Sequence, residues 1–185
     1  MHQTVKTIFR LFFAIVIFLI TLALFLSILS KSKEIFYAEQ FFQNAQSISL
    51  KSNDKEQLVL VSNNQRSDQN IFIVIANNGF IAKVNCEHYS KDICTDAYNQ
   101  LHTRQINQIN LLNIGQQHYI ENVHYRDSRT QKQYQLNYSK QQIQQFYQTD
   151  ISNLKYTTFS MFLFAIAALY VSIHILRNFR KFIYG

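Results

Sequence analysis

Two stretches of the chain show no alternation of apolar and polar positions. Leu11–Ser30 (LFFAIVIFLITLALFLSILS) and Tyr156–Leu176 (YTTFSMFLFAIAALYVSIHIL) contain no Asp, Glu, Lys, Arg, Gly or Pro. A run of ~20 such residues, rising ~1.5 Å each as a helix, matches the ~30 Å hydrocarbon core of a bilayer. A helix of a soluble core keeps one polar face over that length, so both stretches are expected to be transmembrane helices. The first exceeds the ~7–15 apolar residues of a signal peptide and has no small-x-small cleavage site after it, which predicts an uncleaved signal anchor.

Between them the pattern breaks into short elements. Residues 31–46 (KSKEIFYAEQFFQNAQ) place Ile35, Ala38, Phe42 and Ala45 at three- and four-residue intervals, predicting that the first helix runs on unbroken to about Gln46. From Ser47 the period becomes two, with strands predicted around Ile48–Leu50 and over 56–62 (EQLVLVS) on either side of a Ser52–Lys55 turn. The segment IFIVIANNGFIAKVN reads as a hairpin about Asn78–Gly79, with Ile75 opposite Ala82, Ile73 opposite Val84 and Ile71 opposite Cys86. That register puts Ile71, Ile73, Ile75, Phe80, Ala82, Val84 and Cys86 on a core face.

A helix is predicted next, N-capped by Ser90, striped by Ile93, Ala97 and Leu101, and continuing through Ile106, Ile109 and Leu112 to Gly115. Residues 118–127 and 131–138 read as a second hairpin. Its mixed faces predict a solvent-washed edge or binding surface carrying His118, Tyr119, His124, Tyr125 and Tyr134. From Ser139 the stripe Ile143, Phe146 or Tyr147, Ile151 and Leu154 leads into the second span with no Gly or Pro between, predicting one helix from about Lys140 to Leu176.

The expected fold is therefore an α+β membrane protein. Two transmembrane helices extend into juxtamembrane helices and enclose a β-hairpin-rich extracytoplasmic head with one internal helix. The boundaries are an N-tail 1–10, helix 11–30, head domain 31–155, helix 156–176 and basic C-tail 177–185.

Charge adds an orientation. All 11 acidic residues lie between the spans, where 13 Lys and Arg nearly balance them. Lys6 and Arg10 precede the first span, and Arg177, Arg180 and Lys181 follow the second. Lys and Arg at span ends favour the cytoplasmic side, so both termini are expected in the cytoplasm and the middle is expected in the periplasm, outside the inner membrane. The basic tails read as orientation signals beside lipid headgroups, not as a nucleic-acid site, which needs a basic stripe on a folded domain. The two cysteines, Cys86 and Cys94, both fall in the exported part, the pattern of a disulfide.

Catalytic and cofactor chemistry finds little support. His118 and His124, six apart on one strand, stand ~20 Å apart. His88 lacks metal-ligand spacing, and His174 near a span end can reach the interface. Three glycines in the chain leave no phosphate cradle, and neither span carries a midplane charge. No metal, cofactor or catalytic residue is expected.

Ala23-x-x-x-Ser27 and Ala168-x-x-x-Ser172 are small-residue faces that permit close helix approach. Offset in depth, they are expected to contact another copy or another membrane protein rather than each other. Gly185 follows the second span by nine residues, so no cytoplasmic output domain is expected. The layout resembles membrane-anchored extracytoplasmic sensor modules.

The expected function is a non-enzymatic inner-membrane protein held in the bilayer. Its head binds a membrane or periplasmic protein, or a second copy, as an assembly or regulatory subunit of an envelope complex. The alternatives are a ligand sensor signalling laterally through its spans, or a membrane-acting effector or exclusion factor.

Overall fold

The computed structural model describes residues 2–63, 70–76, 79–94, 102–127 and 130–184. They form two compact units: one of residues 1–38 and 149–185, the other of 39–148.

The first unit is helical. Helix α1 spans His2–Phe36, so the N-tail is part of the helix. The helix stops at Tyr37 rather than running to Gln46, and a short α2, Ala38–Gln43, follows before the first strand opens at Gln46. Helix α3 spans Lys140–Arg177 as one element, as the uninterrupted apolar stripe predicts, and α4, Phe179–Tyr184, follows the turn residue Asn178. Both α1 and α3 are long and apolar enough to cross a membrane.

Within this unit α1 and α3 run antiparallel and meet at Thr21 and Ser172. Ala14 and Thr21, seven apart on α1, are buried, as are Thr158, Ala165 and Ser172, spaced by seven on α3. The Thr21 and Ser172 hydroxyls share a hydrogen bond of 3.1 Å, and Thr21 also donates to the Ile17 carbonyl. A seven-residue repeat is the spacing that keeps one face turned to a neighbouring helix. Of the small-residue faces expected from the sequence, Ala23 is exposed, Ser27 and Ala168 are half-buried, and Ser172 bonds to Thr21 of the same chain rather than to Ala23 or Ser27.

The second unit is built on a seven-stranded antiparallel sheet. Its strands are β1 (Gln46–Lys51), β2 (Leu58–Asn63), β3 (Asn70–Ile75), β4 (Gly79–Asn85), β5 (His102–Ile114), β6 (Gln117–Asp127) and β7 (Gln133–Asn137). The order is β4-β3-β2-β5-β6-β7, with β1 also on β5. β1 pairs with 108–113 and β2 with 102–106 of the same long strand, so the two lie end to end. The excursion 52–57 between them is stitched down. Ser52 Oγ donates to the Ile106 carbonyl and accepts from the Leu58 amide, and Asn53 Oδ1 accepts from the amides of Lys55 and Glu56.

Three register breaks bend this sheet, at Ile81, Asn107 and Glu121, each an extra residue on one strand. Bulges sharpen the local twist, and here they accompany a curl that brings β4 near β6. The core inside includes Leu58, Leu60, Ile71, Ile73, Ala82, Val84, Ile106, Ile109, Leu111, Ile120 and Val123.

Several expectations change here. Residues 102–114 are a strand, not a helix, and end in the two-residue turn Gly115–Gln116, where Ile114 pairs with Gln117. Gly115 has φ +61°, the first-position glycine of a type II′ hairpin turn. Ser90 closes the 3₁₀ turn Glu87–Tyr89 instead of capping a helix, 91–94 are turn and bend, and the remainder of the predicted helix, 95–101, lies outside the described residues. In the β3–β4 hairpin Ile73 faces Ala82 and Ile71 faces Val84, two residues from the expected register. A shift of two preserves the inward face, but the extra residue Ile81 turns Phe80 outward to 60% exposure. Gly79 pairs with Ile75, beyond the turn, at φ +117°, a backbone conformation that favours glycine. β6 is an interior strand: Tyr119, Ile120, Val123 and Tyr125 are buried, and the edge on this side of the sheet is β7, with β4 at the other end.

Candidate functional site

The disulfide-closed segment after β4 organises one side of the head. Cys86 and Cys94 are bonded, with Cα atoms 6.0 Å apart. Inside this ring a 3₁₀ turn, Glu87–Tyr89, projects the fully buried Tyr89 onto the sheet. Its carbonyl accepts from the amides of Asp92, Ile93 and Cys94, and its hydroxyl accepts from the Ile120 amide at 2.9 Å, beside the Glu121 bulge. A buried amide left unpaired by a bulge is costly, and this phenol satisfies it.

Around Tyr89 stands a cluster of rings. Phe146, on the first turns of α3, stacks on His88 at 4.5 Å and meets Tyr89 and Tyr138 edge-on. Tyr138 donates to Asp92 Oδ2 at 2.8 Å. Burial, reinforced by that hydrogen bond and the Asp92 charge, raises the Tyr138 hydroxyl above the usual tyrosine range. The helix carrying Phe146 starts with a reciprocal cap: the Gln142 amide donates to Ser139 Oγ, and the Ser139 amide donates to Gln142 Oε1.

The residues expected to form a partner surface separate into two places. Tyr119 is buried, hydrogen-bonded to Gln117 and edge-on to Tyr147, which stacks on Phe42. His118, half-buried, pairs with Asn113 near the same turn. His124, Tyr125 and Tyr134 come together on β6 and β7. The Tyr125 and Tyr134 rings stack at 5.3 Å, and the buried Arg104 lies over Tyr125 with 5.6 Å between guanidinium carbon and ring centre. Burial raises the Tyr125 hydroxyl, partly offset by Arg104. With Asn107, Gln133 and Gln135 these three line a depression of about 220 Å³. It opens where Asn107 bulges from β5.

The same region carries cross-strand rows of polar side chains. Ser49, Asn110, Asn122 and Asn137 stand opposite one another across β1, β5, β6 and β7. Ser49 donates to Asn110, and Asn122 donates to Asn137. The next row is Lys51, Gln108, His124 and Gln135. β7, the edge, has no charged residue between Gln133 and Asn137, and only Leu136 of its five is half-buried rather than exposed.

A second polar hollow, about 380 Å³, lies at the 52–57 excursion between Asn53, Asp54, Lys55, Gln57 and Ala76. Among the described residues, no three His, Cys, Asp or Glu side chains are grouped to hold a metal ion. Tyr89, Arg104 and Tyr138 were missed in the sequence because their roles depend on the bulged sheet. The N-cap pattern Ser139-x-x-Gln142 was legible there.

Comparisons with protein-family models, with curated proteins and with solved structures give no match. Two helices long and apolar enough to cross a membrane and one disulfide, a bond favoured by oxidising compartments, therefore stand as the class of this chain: an α+β protein with candidate membrane helices.

Proposed function

We propose that this chain is a two-span inner-membrane protein with both termini in the cytoplasm and its β head in the periplasm. In this reading the head binds a protein partner, as an assembly or regulatory subunit of an envelope complex, and has no catalytic role of its own. The observation that carries the reading is the β7 edge: an uncharged, exposed terminal strand beside the Tyr125–Tyr134 stack and the depression at Asn107. Edge strands left without charges or Pro are templates for pairing with another chain, and tyrosine is enriched at interfaces.

The test is a photo-crosslinking amino acid in place of Gln133 or Gln135 in intact cells, followed by mild detergent extraction. A discrete adduct, absent when the probe replaces Lys83, is expected; no adduct and a lone monomer in detergent overturn the reading. Orientation is tested separately. Thr130→Cys should react with a membrane-impermeant maleimide in cells whose outer envelope is opened; protection until the inner membrane is breached places the head in the cytoplasm.

The depression itself favours a second reading, a small-ligand sensor. A thermal shift produced by a metabolite and abolished by His124→Ala would support it over the first.

A further inference from the structure

We propose that the end of the helical unit carrying Lys6, Arg10, Arg177, Arg180 and Lys181 is a binding site for the headgroup of an anionic phospholipid. The inference rests on the membrane reading above and goes beyond it: cations that merely set orientation need no common site.

The two basic segments are far apart in the chain and are brought together by packing. α4 contacts α1, and Arg10 Nη1 donates to the Phe182 carbonyl at 3.1 Å. That carbonyl lies in the last turn of α4, where helices leave acceptors open and favour a cation. Arg10 is half-buried and so ties the two segments, while Lys6, Arg177, Arg180 and Lys181 are exposed around it. Lys6 precedes Arg10 by one turn of α1, Arg177 closes α3, and Arg180 and Lys181 follow on α4.

No Asp or Glu occurs in residues 1–33 or 151–185, so no carboxylate side chain of these segments neutralises the group. The ligand has to supply the negative charge. Guanidinium groups match phosphate oxygens in bidentate geometry. Phe9 and Phe179, both exposed beside the cations, are suited to the boundary between headgroup and acyl chain. These rings favour a phosphate that comes with acyl chains over one free in solution. Each cation near an anionic surface is worth about fivefold in affinity.

The full chain, reconstituted in nanodiscs of phosphatidylcholine and phosphatidylglycerol and then released into mild detergent, is examined by native mass spectrometry for retained lipid. Phosphatidylglycerol is expected at several times its bulk proportion. The variant R177Q/R180Q/K181Q should return it to the bulk proportion, and K6Q alone should lower it. K31Q/K33Q/K155Q, which removes cations elsewhere in the helical unit, should leave it unchanged.

Retention at the bulk proportion in the unmodified protein overturns the proposal, as does retention that survives the triple variant or falls equally in the control. Displacement by millimolar inorganic phosphate would identify a phosphate site without lipid selectivity and would also overturn it. Failure of the membrane reading is seen apart from all of these, as release of the protein from membranes by alkaline carbonate.

Discussion

Tyr89 concentrates several jobs in one side chain. It fills the core, its carbonyl collects three amides of the disulfide ring, and its hydroxyl serves the Ile120 amide. Tyr89→Phe keeps the packing and orphans that amide, so unfolding by denaturant should show a loss of about 1–3 kcal/mol. Tyr138 and Tyr125 are tied to pH instead. Both hydroxyls are raised above the ordinary 10.0, chiefly by burial. Below about pH 10 both are protonated in folded and unfolded chains alike, and their contribution is constant. Above it the unfolded chain gives up protons that the folded head retains, so stability falls as pH rises. Melting temperatures measured from pH 8 upward should hold level and then drop, and Tyr138→Phe should make the drop shallower.

At the scale of elements, the bulges explain what was and was not legible. Asn107 inserts one residue into β5, so the inward positions Ile106 and Ile109 are three apart. Leu112, three further on, is also buried, outside the core cluster and opposite Tyr119 on β6. An interrupted strand thereby imitated the stripe of a helix, and Gly115, read as a helix end, is a hairpin turn. Glu121 does the same to β6, bringing Ile120, Val123 and Tyr125 inward and making an interior strand look like a mixed edge. Elements free of such insertions, among them β1, β2, β7 and the whole of α3, follow their periodicity directly. The cysteine pairing was readable because it depended on spacing and expected compartment rather than on register. Replacing both cysteines by serine frees a ring with a sequence separation of 8 and should cost the head about 2–3 kcal/mol, measured by denaturant unfolding.

Across the whole molecule, the two units draw on different physics. The head hides apolar side chains in a curled sheet, whereas α1 and α3 meet at a polar contact, the hydrogen bond between Thr21 and Ser172. Close approach and hydrogen bonds are what hold helices together where the surroundings are themselves apolar. Thr21→Cys with Ser172→Cys should crosslink within one chain under mild oxidant, read as a shift in mobility on a non-reducing gel. A further consequence belongs to the 52–57 excursion. Because β1 and β2 are each registered on β5 independently, the number of residues joining them sets the alignment of neither. The sheet therefore has a seam at which chain length is free to vary: an epitope tag spliced between Asp54 and Lys55 should leave the Cys86–Cys94 bond forming and the melting temperature within a few degrees. Natural lengthening is expected at this point sooner than at the tight turn of Gly115.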